Sequence, residues 1–239
     1  MTISEKSFDI RPSDFQNPGL YLLLEDSTRI ELTRQNIMDV ARQYWSNPSK
    51  IPDTVKRAVD FQRCSFCPLK GEDEFCDALR PILPLLDIVD NFISYDKVMA
   101  IYKPDEKNIL HMTTTTMQNA LRYVSIISLM NHCQIGHKYW KYFTGIIPVQ
   151  RPGEIVNRLY LNIYWYHRGD ERQIDKIISD FYKEITATTK NQVRRLKLIC
   201  QNDVFLNAFV NTQLISDILH EDRDSGLTIH FDKTGKALS

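Results

Sequence analysis

KVMAIYKPDEKNILHMTTTTMQNALRYVSIISLM, residues 97–130, is where the chain passes from a two-residue rhythm to a helical one. Val98–Tyr102 and Ile109–Met112 flank Pro104-Asp105-Glu106-Lys107, a proline-led polar turn, so a hairpin is predicted. From Thr113 the pattern is helical. Met117–Met130 is apolar on nearly every side, which marks a buried helix. A strand exit followed by a helix cap accounts for Thr113–Thr116 more simply than an anion site does.

The same contrast extends in both directions. Residues 18–33 read as a second hairpin, with Leu20–Leu24 and Ile30–Leu32 joined at Glu25-Asp26-Ser27. Thr33 is placed to cap a helix over Gln35–Trp45, where Ile37, Val40, Ala41 and Tyr44 recur at helical spacing. Asn47-Pro48 and Ile51-Pro52 break the chain. Val55, Val59 and Phe61 alternate, so Val55–Phe61 is expected to be a strand. Residues 75–92 look helical, but Pro81 and Pro84 delay or kink that helix. Further on, Pro152–Tyr164 is read as a helix. Ile174, Ile177, Ile178, Phe181, Tyr182 and Ile185 form one stripe. Asp203 is placed to cap a helix carrying Val204, Phe205, Ala208, Phe209, Thr212 and Ile215 inward.

Strands first and helices second is the α+β order. The expectation is a small antiparallel sheet of four or five strands in the N-terminal half and a helical bundle in the C-terminal half. Residues 1–112 form the mostly β region, 113–221 the helical region packed on it, and 222–239 a polar tail in which Leu227–Phe231 could add an edge strand. A single domain is compatible with the 239 residues. Lys plus Arg and Asp plus Glu both number 30, so net charge gives no reason to expect nucleic acid. Arg194, Arg195 and Lys197 read as a solvated helix face. Met1–Asp9 lacks the apolar run of a signal peptide, and no stretch is long enough to span a bilayer. A cytoplasmic location is therefore expected, where five cysteines would stay reduced or bind metal.

Three of those cysteines, Cys64, Cys67 and Cys76, fall within C-x2-C-x8-C. A CxxC turn brings two thiolates to one ion, and the third would stand at the start of the next helix, whose amides favour a thiolate. A tetrahedral site needs a fourth ligand, and Cys133, flanked by His132 and His137, is the candidate. Cys200, in an apolar helical run, reads as a small core residue. Zinc is the default for four thiolates and would be structural, with no open coordination position. An iron–sulfur cluster is the competing reading, and Cys67-Pro68 echoes the Cys-Pro of ferredoxin ligand runs.

The residues Cys64-Ser65-Phe66-Cys67-Pro68-Leu69, Cys76, Ser94-Tyr95-Asp96-Lys97-Val98, Met130–Cys133, Pro152–Tyr164 and Asp203–Ala208 resemble an uncharacterised family of bacterial proteins. The likeness covers about residues 55 to 219. That family carries CxxCPL, a further Cys, a Ser-Tyr-Asp before a strand, and a later Gly-Cys-Pro. Here the last is His132-Cys133-Gln134, with the cysteine kept and its neighbours changed. The resemblance implies that Cys64, Cys67, Cys76 and Cys133 are one set. It implies no activity.

No P-loop, dinucleotide fingerprint, nucleophile elbow, HExxH or deaminase pattern occurs among the 8 glycines and 6 histidines. Tyr160, Tyr164, Trp165, Tyr166 and His167 could line a pocket or partner surface, although packing is the simpler account. Asn207 and Asn211, four apart on an apolar helix, could tie helices together or reach a cavity. His111 joins Tyr160, Tyr164, Asn207 and Asn211 as a possible ligand pocket. The leading expectation is a non-enzymatic zinc-clamped protein that binds an unknown protein or small molecule. An iron–sulfur redox or sensor protein, and an enzyme sited in the aromatic helical half, are the alternatives.

Overall fold

The computed structural model describes residues 10–60, 64–69, 76–105 and 109–221. Its N-terminal half holds one four-stranded antiparallel sheet, and helices make up the rest, an α+β arrangement. The expected first hairpin is β1 (Gly19–Leu23) and β2 (Arg29–Thr33), paired from Gly19 opposite Thr33 to Leu23 opposite Arg29. Gly19 lies at φ 142°, and a Cβ there would stand 2.5 Å from Thr33 Cα, so only glycine lets the strand ends close. Beyond β1 come β3 (Lys97–Lys103) and β4 (His111–Thr116), giving the order β2-β1-β3-β4.

Both faces of the inner strands are covered. Leu20, Leu22, Leu32, Val98 and Ala100 join the main core, which extends through the helices to Leu219. Tyr21 and Ile101 point the other way, under Phe15, whose ring meets Tyr21 edge-on at 4.8 Å. Burial on both sides explains why Leu20–Leu24 is a continuous apolar run rather than an alternating one.

Three sequence expectations are corrected here. Val55–Phe61 is not a strand: α2 spans Asp53–Asp60, and Phe61 lies outside the described residues. The Pro52 carbonyl accepts from the amides of Val55 (3.0 Å) and Lys56 (3.1 Å), which starts the helix. Buried Val55 and Ala58, three apart, are its inner face. The threonines do not open the helical region either. Thr113–Thr116 continue β4, opposite Ala100 to Lys97, as suits β-branched side chains, and the strand begins only at His111. Thr116 precedes the next helix without a side-chain cap bond, and its Oγ1 is buried with no partner among the described residues. Finally, 76–92 is no single helix. Pro81 and Pro84 break it into 3-10 turns at Asp77–Leu79 and Leu83–Leu85 and the short α3, Leu86–Val89.

The other helices follow their sequence signals. Thr33 Oγ1 accepts from the Asn36 amide (3.2 Å) at the head of α1, Arg34–Trp45. Buried α4, Met117–Ile127, runs into a π turn at Ser128–His132 and then a 3-10 segment, Gly136–Phe143. Next come α5 (Pro152–Tyr166), α6 (Glu171–Leu196) and α7 (Val204–Glu221). Ile174, Ile178, Phe181 and Ile185 of α6 and all six named residues of α7 are buried. α7 packs against α4, α5 and α6, which is why it is apolar beyond one stripe. Asp203, just before α7, accepts from Ser94 Oγ (2.7 Å) and Asn207 Nδ2 (2.8 Å), tying this helix to the start of β3. The alternating Leu227–Phe231 lies outside the described residues. No described helix is long and apolar enough to cross a membrane.

One buried cation stands out within the helical half. Arg122 of α4 is 1% exposed, and its guanidinium donates to the carbonyls of Pro148 (2.9 Å) and Gln150. Burial pulls its pKa down to about 10, so it is still charged at neutral pH. Arg122→Met should orphan two carbonyls but also relieve a buried charge, for a net loss of about 2 kcal/mol. Urea denaturation would measure this, and an unchanged midpoint would show that the 148–150 loop does not depend on it.

Candidate metal centre

The four sulfurs named from the sequence arrive from separate pieces of chain. Cys64 and Cys67 bracket a turn after α2, closed by the Cys67 amide on the Cys64 carbonyl (2.9 Å). Cys76 immediately precedes the Asp77–Leu79 turn, and Cys133 follows the π turn that ends α4. Cys64 and Cys133 are buried, while Cys67 and Cys76 are half-buried against the main core. Cys67 and Cys76 act electrostatically on the Cys64 thiol, as do Cys76 and Cys64 on that of Cys133. Cys64 and Cys76 therefore lie in the same part of the protein as Cys133, and Cys67 in the same part as Cys64.

Their donors come mainly from α6. Cys76 Sγ accepts from Arg195 Nη1 (3.2 Å) and Gln192 Nε2 (3.4 Å), and Asn191 donates to Cys64. The support for Cys76 is therefore not a helix N-terminus. The turn after it has only three residues, too short to sum a useful dipole. Arg195 is 2% exposed, so it belongs to this buried centre rather than to a solvated face. Beside Cys133 the chain turns back, and the amides of Gly136 and Ile135 donate to its sulfur. Gly136 is required there: a Cβ would stand 2.1 Å from the Leu129 carbonyl oxygen.

Burial raises the Cys64 thiol, with Asn191 and Arg195 partly offsetting it, and pushes Cys133 up to about 12. Without a metal these two sulfurs hold their protons at neutral pH. As placed, no three Cys, His, Asp or Glu side chains among the described residues form a ligating group. The residues suit a metal in kind: several sulfurs, N–H donors to three of them, and one guanidinium to offset thiolate charge. A bound ion would have to draw the sulfurs closer together.

The neighbouring histidines offer less. His132 is half-buried, with its pKa lowered by burial, and His137 is exposed with Nδ1 3.3 Å from the Met130 carbonyl. Cys200 lies not within a helical run but in the turn after α6, its pKa raised to about 12 by burial and then by Asp90. Its change to serine should leave bound metal per chain unaltered, whereas Cys76→Ser should reduce it at least tenfold. Elemental analysis of both variants makes the comparison.

The five residues named as a possible ligand pocket are spread apart. Asn207 bonds Ser94 Oγ (2.8 Å) and Asp203, and Asn211 bonds Asn119 Oδ1 (3.0 Å), so both join α7 to its neighbours. Tyr160 is half-buried against the main core, and the Tyr164 ring folds over Gly169. His111 stacks on Tyr102 and lines a cleft, with ring centroids 6.5 Å apart. Trp165 and Tyr166 are exposed at the end of α5, where His167 Nε2 lies 2.7 Å from the buried Tyr142 hydroxyl.

The sequence does not single out Asn191, Gln192 or Gly136, and it gives Arg195 only as part of a solvated face. Asn191, Gln192 and Arg195 are polar residues on a helix whose apolar stripe draws attention elsewhere, and their role depends on a contact across more than a hundred positions. A protein-family model matches residues 29–230, and the chain belongs to that family, described as a domain of unknown function (DUF6901). This agrees with the resemblance to an uncharacterised family and carries no statement about the cysteine pattern. No curated protein and no solved structure matches the chain.

Proposed function

We propose that this family member carries a structural metal, zinc, on Cys64, Cys67, Cys76 and Cys133, and acts as a binding or regulatory protein rather than an enzyme. The supporting observation is that N–H donors from α6 and from the Ile135–Gly136 turn reach sulfurs in three separate segments, at Cys64, Cys76 and Cys133. The ion would pin the turn after α2 and the segment at Cys76 to the end of α4. Four thiolates leave a zinc ion no open position, so its contribution would be to folding. An iron–sulfur cluster on the same cysteines is the second reading, because N–H donors to sulfur also tune such clusters.

The test is elemental analysis of protein purified without oxygen, with the ultraviolet–visible spectrum recorded alongside. One zinc per colourless chain supports the proposal. Iron with visible absorption selects the cluster, and neither metal in stoichiometric amount rejects both.

A further inference from the structure

A cleft of about 600 Å³ lies apart from the cysteines, none of which lines it. It opens between the β3–β4 hairpin, α4 and the 143–148 segment that leads to α5. That volume is in the range of small-molecule sites, roughly 300–1,000 Å³. One wall is aromatic: Tyr102 and Tyr123, with ring centroids 5.9 Å apart, and Trp140. Trp140 is 42% exposed, a large flat surface at the mouth.

The charge around this wall is uneven. Arg158 of α5 reaches the cleft and packs on Gly145, where a Cβ would come within 3.0 Å of its Nη2. Gly145 lies at φ 69°, a backbone conformation that calls for glycine. No acid among the described residues forms an ion pair with Arg158. Glu154, one turn earlier, accepts instead from the Arg151 amide (3.0 Å). A second cation is close by: Arg122 precedes Tyr123 and donates to Pro148, which also lines the cleft. Arg122 Nη1 is buried without an acceptor among the described residues. The one acid on the wall among the described residues, Asp105, comes from the hairpin and acts on Tyr102 and Tyr123.

We infer that this cleft binds a small amphipathic anion, with Arg158 taking a carboxylate or sulfonate and the aromatic wall taking a flat apolar body. A planar guanidinium suits a two-oxygen anion, and aromatic faces suit a flat partner. The inference is independent of the metal reading.

Two probes that differ only in charge test it: 1-anilinonaphthalene-8-sulfonate, and N-phenyl-1-naphthylamine, which lacks the sulfonate. Each is titrated by fluorescence into full-length protein that melts cooperatively. The expected result is one saturable site preferring the sulfonate about tenfold, the equivalent of one charge-assisted hydrogen bond. Arg158→Met should erase that preference, and Arg158→Lys should keep part of it. Arg80→Met is the control. Arg80 pairs with Asp77 (2.9 Å) beside a separate cavity of about 410 Å³ lined by Met38, Trp45 and His132. Equal affinity for the two probes, retention of the preference in Arg158→Met, or its loss in Arg80→Met would each overturn the inference.

Discussion

Metal-free protein should melt about 10 °C below the metal-bound form. An ion held at a thousandfold above its dissociation constant stabilises the fold by about 4 kcal/mol, and for a chain of this size each kcal/mol moves the midpoint by about 2–4 °C. The effect is large because the ion would join cysteines from three segments far apart in the chain, at Cys64–Cys67, Cys76 and Cys133. Removing the ion also leaves buried thiols that must be protonated.

Those thiols provide a second arm. The folded Cys133 thiol is raised from an ordinary 9.0 to about 12 by burial. A raised folded value contributes stability below the unfolded value, and this is lost as pH climbs towards the folded one. Metal-free protein should therefore weaken steadily above about pH 9. Metal-bound protein should not show that loss from Cys133, since its sulfur is already deprotonated, and should instead weaken in acid as protons compete for the ligands. Cys200 is raised similarly and contributes equally to both forms. Melts with and without chelator, repeated from pH 5 to 10.5, read both effects. Superimposable curves would remove the case for a metal that supports the fold.

Gly136→Ala should be the most damaging single substitution near the centre. Its Cβ would lie 2.1 Å from the Leu129 carbonyl oxygen and 2.8 Å from the carbonyl carbon. Both are backbone atoms at the π turn, so neither can rotate away. Overpacking of this kind costs about 3 kcal/mol. Displacing the turn also moves the Ile135 and Gly136 amides off the Cys133 sulfur, and losing such support weakens metal binding by about 10–100-fold. Chemical denaturation and competition against a chelating dye measure the two losses separately. A variant that loses stability but keeps its metal affinity would mean Cys133 is not a ligand.

Much of the fold is legible locally. The Leu20–Leu32 hairpin, the Thr33 cap and the inner faces of α6 and α7 follow from period, capping residue and turn residue within a few positions of one another. The errors fall where local signals compete. Val55, Val59 and Phe61 satisfy a strand period, yet Val55 and Ala58 satisfy a helical one, and Pro52 tips the segment to helix. Thr113–Thr116 look like a cap because a helix follows, but pairing with β3 claims them first.

What the sequence by itself determined is the order of strands before helices and the buried character of α4. These are encoded by neighbours along the chain. The tertiary structure alone decided that Asn191, Gln192 and Arg195 of α6 serve those sulfurs, that Arg158 faces an aromatic cleft, and that His111 belongs to that cleft and not with Asn207 and Asn211. Hydrogen bonds and charges act over a few ångströms of space, and segments a hundred residues apart come within that range only when the core has packed.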